Sequence, residues 1–168
     1  YIITSEVMSM RFVIVRHGDP DYSVDSLTPK GWREAELLSE RLTKLDVKAF
    51  YCSPLGRAKD TASKTLEKLN RSAETLKWAR EFEGKVKING ETKSAWDRLP
   101  SEWTDNPDFY TPQGWIKTPI MQSGNVEKKY NKVCKGVDEL LAKHGYVHKG
   151  NVFEVKKPNH DRIVLFCH

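Results

Sequence analysis

The sequence predicts an α/β fold built on a mostly parallel central sheet. Strand-length runs of apolar, β-branched residues alternate with helix-length segments whose apolar residues recur every three or four positions. The first run, Phe12-Val13-Ile14-Val15, is continuous rather than alternating, the composition expected of a strand buried on both faces. At 168 residues the chain fits one domain with a substantial core.

Each element follows from local chemistry. Residues 1–9 precede a natural start at Met8 or Met10 and read as a leader or tag-derived segment. Arg11 to Val15 forms the first strand, which stops at Arg16-His17-Gly18. A strand that delivers arginine and histidine to its carboxyl end, with glycine free to turn, is a common α/β active-site layout. Taken alone, the same three residues fit a surface loop. Asp19 to Leu27 is a polar loop, whose Asp19 and Tyr22 are candidates for a pocket rim. Thr28-Pro29 supplies an N-cap and a proline at the first helical position, and Trp32, Ala35, Leu38, Leu42 and Leu45 mark an amphipathic helix over 29–44.

Val47 to Cys52 is the second strand. Ser53 can cap the next helix, whose buried stripe is Leu55, Ala58, Ala62, Leu66 and Leu69. Arg57 projects from its first turn, where backbone N–H groups and the helix dipole favour anions. Thr75 to Trp78 reads as a short third strand, with Glu81 and Glu83 beyond its carboxyl end. Residues 85–122 carry Pro100, Pro107, Pro112 and Pro119 among many aromatic residues and show no clear period. The aromatic content argues for order. A packed, cap-like insertion that sets substrate choice and an ordered crossover without ligand contact both fit. Ser123 to His144 reads as a long helix, Tyr146 to Val155 as a hairpin around Lys149-Gly150-Asn151, and Arg162 to Cys167 as the closing core strand. No internal repeat or second domain is legible.

A net charge of +5 suits acidic ligands, but Lys and Arg are dispersed among Asp and Glu, so nucleic acid is not expected. Cys52, Cys134 and Cys167 are odd in number and lack paired spacing, which suggests neither a disulfide framework nor a zinc site. A reducing cytoplasm is the expected compartment. No stretch approaches the roughly 20 apolar residues that span a bilayer. No cluster has convincing metal-ligand spacing, and neither metal nor cofactor is expected. Oligomeric state is not legible.

Three motifs act together: Arg16-His17-Gly18 after the first strand, Ser53-Pro54-x-x-Arg57-Ala58-x-x-Thr61-Ala62 after the second, and His168 after the last. In this order they resemble the histidine phosphatase (phosphoglycerate mutase-like) superfamily, over about Arg11 to His168. Leu27-Thr28-Pro29-Lys30-Gly31 is similar to a further family element, although capping alone explains it. The resemblance implies a three-layer α/β/α sandwich. Family members continue past this last histidine, so the resemblance also implies a domain over 10–168 that is truncated at its C-terminus.

The implied chemistry is hydrolysis of a small phosphate monoester. Arg16 and Arg57 would hold the phosphoryl oxygens with planar, permanently charged forks. The resemblance assigns the nucleophile to His17, which would form a phosphohistidine that water then hydrolyses. Its second ring nitrogen should donate to a backbone carbonyl, fixing the tautomer. His168 would hydrogen-bond the phosphoryl oxygens and stabilise developing charge. Glu81 would protonate the leaving oxygen, with Glu83 an open alternative. Ser53 and Thr61 are explained by capping and helix packing, and His144, His148 and His160 by surface exposure. A cofactor-dependent phosphomutase is the alternative, although residues 19–27 lack the Asn-x-Phe-x-Gly-Trp-like stretch of sugar-acid mutases. A non-catalytic phospho-ligand binding module is a third reading, against which the complete set of charged residues argues.

Overall fold

The computed structural model describes residues 9–168, so the expected leader, save Ser9, lies outside it. The chain divides into two compact units, one holding residues up to Glu81 together with Asp138–His168, the other Phe82–Val137.

In chain order, the first unit begins with β1 (Arg11–Arg16) and a two-rung hairpin of β2 (Pro20–Asp21) and β3 (Ser26–Leu27) inside the expected polar loop. Helix α1 (Pro29–Leu42) starts as expected: Thr28 is the N-cap and its hydroxyl accepts from the Gly31 N–H. Strand β4 (Ala49–Cys52) leads to α2 (Gly56–Leu69), which ends on Asn70 in the left-handed region. The third strand is shorter than its sequence reading: β5 (Glu74–Thr75) gives way to a 3₁₀ turn over Lys77–Ala79.

The second unit opens with a hairpin of β6 (Lys85–Ile88) and β7 (Glu91–Ser94). Its turn, Asn89-Gly90, has positive φ at both residues, as a type I′ turn requires. That dipeptide is a strong hairpin signal in a stretch read as having no period. Short helices α3 (Pro100–Thr104) and α4 (Pro119–Ser123) follow, around a core of Val86, Ala95, Met121 and Val126 packed by Trp103, Phe109 and Trp115. The long helix α5 (Val126–Lys143) starts later than expected. Gly124 and Asn125 interrupt it, with Asn125 at positive φ. A Cβ on Gly124 would lie 1.9 Å from the Lys85 carbonyl oxygen, so the break admits the β6 backbone.

Back in the first unit, β8 (Tyr146–Lys149) and β9 (Val152–Val155) form the expected hairpin, and β10 (Arg162–Cys167) closes the core. The central sheet is parallel throughout, in the order β1-β10-β4-β5. The two inner strands are β10 and β4, and Ile163 to Phe166 of β10 are all buried. β1 lies at the edge of the sheet, and Ile14 is 63% exposed, which corrects the expectation of a strand buried on both faces. One sheet face packs Val15, Phe50, Val164 and Phe166 against Leu42, Ala58 and Ala62 of α1 and α2. The other packs Tyr51, Ile163 and Leu165 against Leu140 of α5 and Ala79. Helix, sheet and helix make the three layers expected of the α/β/α sandwich.

Candidate active site

β1, β4 and β10 run parallel and in register, so their carboxyl ends deliver His17, Ser53 and His168 to one edge of the sheet. His17 is buried, and its main-chain N–H donates to the Cys167 carbonyl at 2.9 Å. Its Nδ1 lies 2.7 Å from the Gly18 carbonyl oxygen. A carbonyl can only accept, so Nδ1 carries a proton and donates, and in the neutral tautomer it is Nε2 that holds the lone pair. The ring centroids of His17 and His168 are 5.2 Å apart, tilted by 57°.

His168 Nε2 bonds the Ser53 hydroxyl at 2.8 Å, while Nδ1 is buried without a partner among the described residues. Burial, with the charge of Arg57, pulls the His168 imidazole down to about 4, which keeps it neutral at physiological pH. Ser53 is fully buried, and the N-cap of α2 is Leu55 rather than Ser53. Ser53 thus sits two residues ahead of the cap, where its hydroxyl accepts from the Leu55 N–H at 3.3 Å as well as bonding His168.

Arg57, on the first turn of α2, has a side chain only 8% exposed. Its guanidinium is held on two sides: Nη1 donates to Asp25 Oδ1 at 2.5 Å, and Nη2 donates to Glu81 Oε2 at 2.6 Å. The exposed Tyr22 ring lies 5.4 Å from the same group. Burial would raise the Asp25 carboxyl, but the Gly56 N–H and Arg57 outweigh it and hold the group below the ordinary aspartate range. Asp25 thus takes the anion position at the start of α2. Thr61, one turn after Arg57, joins the two halves of the cluster: its hydroxyl accepts from the Gly18 N–H at 3.0 Å and donates to the Arg57 carbonyl at 2.8 Å.

Arg16 is exposed and, with His17, Gly18, Asp19, Pro20 and Glu34, lines a cavity of about 200 Å³. This region is tightly packed, because a Cβ on Gly31 would lie 2.2 Å from the Asp19 carbonyl oxygen. The structure therefore brings His17, His168, Arg57 and Glu81 into one connected cluster and sets Arg16 on a cavity wall beside His17. Glu83 belongs to the second unit. His144 departs from the expected surface exposure: it is half-buried, and its Nε2 bonds the Tyr51 hydroxyl at 2.8 Å. His160 is exposed, and His148 lies at the surface 3.1 Å from Asp138.

Sequence reasoning gave no role to Asp25 and ascribed Ser53 and Thr61 to capping and packing. The Arg57–Thr61 spacing of four residues was the available signal, since it places both on one helix face. Nothing local marked Asp25, whose partners lie 31 and 32 residues away. Among the described residues no group of three or more His, Cys, Asp and Glu could hold a metal, and no helix is long and apolar enough to cross a membrane.

A parallel α/β sheet with two histidines and a buried arginine at its carboxyl edge suits phosphoryl groups. The histidine phosphatase superfamily (branch 1) model matches residues 12–149, and the chain belongs to that superfamily. A 2,3-bisphosphoglycerate-dependent phosphoglycerate mutase from Thermoplasma acidophilum is 36% identical over 73 residues, a match covering 38% of this chain and 36% of the mutase. Among solved structures, a mycobacterial glucosyl-3-phosphoglycerate phosphatase shares the fold with a TM-score of 0.55 at 22% identity, covering 95% of this chain and 76% of that one. A phosphoserine phosphatase from Entamoeba histolytica, solved with 3-phosphoglyceric acid, gives a TM-score of 0.52 at 16% identity, covering 95% and 74%.

Proposed function

We propose that the protein is a metal-independent phosphatase that hydrolyses a small phosphate monoester through a phosphohistidine on His17. The observation that carries this reading is the Nδ1 contact to the Gly18 carbonyl, which fixes the ring and makes Nε2 the attacking nitrogen of the neutral tautomer. In the first step the Nε2 lone pair attacks phosphorus, the P–O ester bond breaks, and the leaving oxygen takes a proton from the Glu81 carboxyl. In the second, water attacks the phosphohistidine, the P–N bond breaks, and Glu81 takes the water proton. The sum is ester plus water giving alcohol plus inorganic phosphate.

The remaining residues stabilise charge. Phosphoryl transfer passes through a loose transition state, so catalysis is mostly positioning and electrostatics. Arg57 and Arg16 would bind the non-bridging oxygens. His168, neutral and fixed by Ser53, would act as a hydrogen-bonding neighbour rather than a second cation.

The mutase relative supports a second reading, in which the phosphoryl group returns to substrate instead of water. A panel of phosphorylated metabolites and p-nitrophenyl phosphate, assayed with a chelator present, separates the two. Hydrolysis predicts steady release of inorganic phosphate, abolished by His17→Ala. Isomerisation of a phosphoglycerate without phosphate release favours the mutase. Activity lost to the chelator contradicts both mechanisms.

A further inference from the structure

Two carboxylates grip Arg57, and their anchoring differs. Asp25 is tied in two directions: Oδ1 accepts from Arg57 Nη1 at 2.5 Å, and Oδ2 accepts from the Gly56 N–H at 2.7 Å. Gly56 opens α2, whose N-cap Leu55 gives no side-chain hydrogen bond, so Asp25 satisfies an N–H that the helix start leaves unpaired. The backbone is fixed as well. Asp25 has φ +50, and a Cβ on Gly56 would lie 2.0 Å from the Asp25 carbonyl oxygen. Glu81, by contrast, bonds only Arg57 Nη2 among the described residues, with a side chain 37% exposed.

We propose that Asp25 is a positioning residue for phosphoryl binding: it stays on Arg57 Nη1 and holds the guanidinium in place, while Glu81 yields Nη2 to the incoming phosphate. The inference rests on the phosphoryl-transfer reading above and assigns the two carboxylates different parts in it. Displacing Asp25 would break two charge-assisted hydrogen bonds and strand the Gly56 N–H. Displacing Glu81 breaks one, and phosphate replaces it at once. A phosphate released from Arg57 hands Nη2 back to Glu81, so the ligand-free site keeps no unpaired buried cation.

Charge and position predict opposite signs for Asp25, which makes the proposal testable. Removing a negative charge beside the binding arginine should tighten anion binding if simple electrostatics decides. It should weaken binding if orientation decides, because Arg57 must then be immobilised when ligand arrives. In Asp25→Asn the amide oxygen can still accept from Gly56, while the amide NH₂ faces Arg57 donor to donor. The variant therefore keeps the helix-start contact and removes the grip on the arginine. Asp25→Ala removes both.

The test is calorimetric titration of the full chain with inorganic phosphate, alongside KM and kcat for p-nitrophenyl phosphate and the thermal midpoint. The expected result is phosphate binding and KM about tenfold weaker in Asp25→Asn, with a near wild-type thermal midpoint. Glu81→Gln should bind phosphate as tightly as wild type or more tightly. Equal or tighter binding in Asp25→Asn overturns the proposal. So does a binding loss confined to Asp25→Ala that follows its thermal midpoint, or weaker binding in Glu81→Gln. Wild-type chain that binds phosphate without turning over esters removes the phosphatase reading and leaves the Asp25 comparison readable. Wild-type chain that does not bind phosphate overturns both.

Discussion

At the scale of residues, Glu81 pairs with Arg57 at 2.6 Å, and the proposed mechanism gives its carboxyl a second part as proton donor to the leaving oxygen. Beside a bound phosphate dianion the protonated form is favoured. Glu81→Gln should therefore slow alkyl phosphates, whose leaving oxygen needs a proton, far more than p-nitrophenyl phosphate. A series of kcat/KM values against leaving-group pKa checks this: the wild-type line should be shallow and the variant line steep, and parallel lines would remove Glu81 from the acid role. His17, Arg57, Glu81 and His168 could be marked as candidates from the sequence because place after a strand and resemblance to family motifs singled them out, and the structure brings the four together. Asp25 and Ser53 could not be so marked. Their roles rest on hydrogen bonds to partners 31 and 115 residues away, and a short polar residue in a turn already has a sufficient local explanation.

At the scale of elements, strands were legible where composition alone defines them, and their place in the sheet was not. Phe12 to Val15 and Ile163 to Phe166 have nearly the same apolar composition, yet one lies at the edge and the other at the centre. Only the pairing order decides that, and pairing order is a property of the whole chain. The difference has an energetic consequence. Phe166 is fully buried and stacks on Phe50 with centroids 6.4 Å apart, so Phe166→Ala should cost about 3–5 kcal/mol by denaturant titration. Ile14→Ala at the exposed edge should cost far less. Equal losses would mean that the sheet order is wrong. The Asn89-Gly90 turn was a local signal within residues 85–122 and was legible in principle. The start of α5 was not, because its break at Gly124 answers to a close approach by the Lys85 backbone rather than to any helix-stop pattern.

At the scale of the whole molecule, each unit has its own apolar core, and two half-buried imidazoles in the first tie its stability to pH. Burial, aided by neighbouring charge, lowers His168 to about 4, and burial is the main cause that lowers His144. An unfolded histidine titrates near 6.5, so below that value the unfolded chain binds more protons than the folded one. Stability should therefore fall as pH drops from about 6.5 towards 4. Thermal midpoints across that window should decline in wild type and flatten in a His144→Gln/His168→Gln variant. An unchanged slope would contradict the assignment. The central claim is that His17 is the phosphoryl acceptor, and trapping its intermediate tests that most directly. Rapid quenching of wild-type protein mixed with ³²P-labelled ester should yield an acid-labile, base-stable phosphoryl group on the peptide containing His17, absent from His17→Ala. Continued turnover by His17→Ala, or label recovered on another residue, would contradict the account.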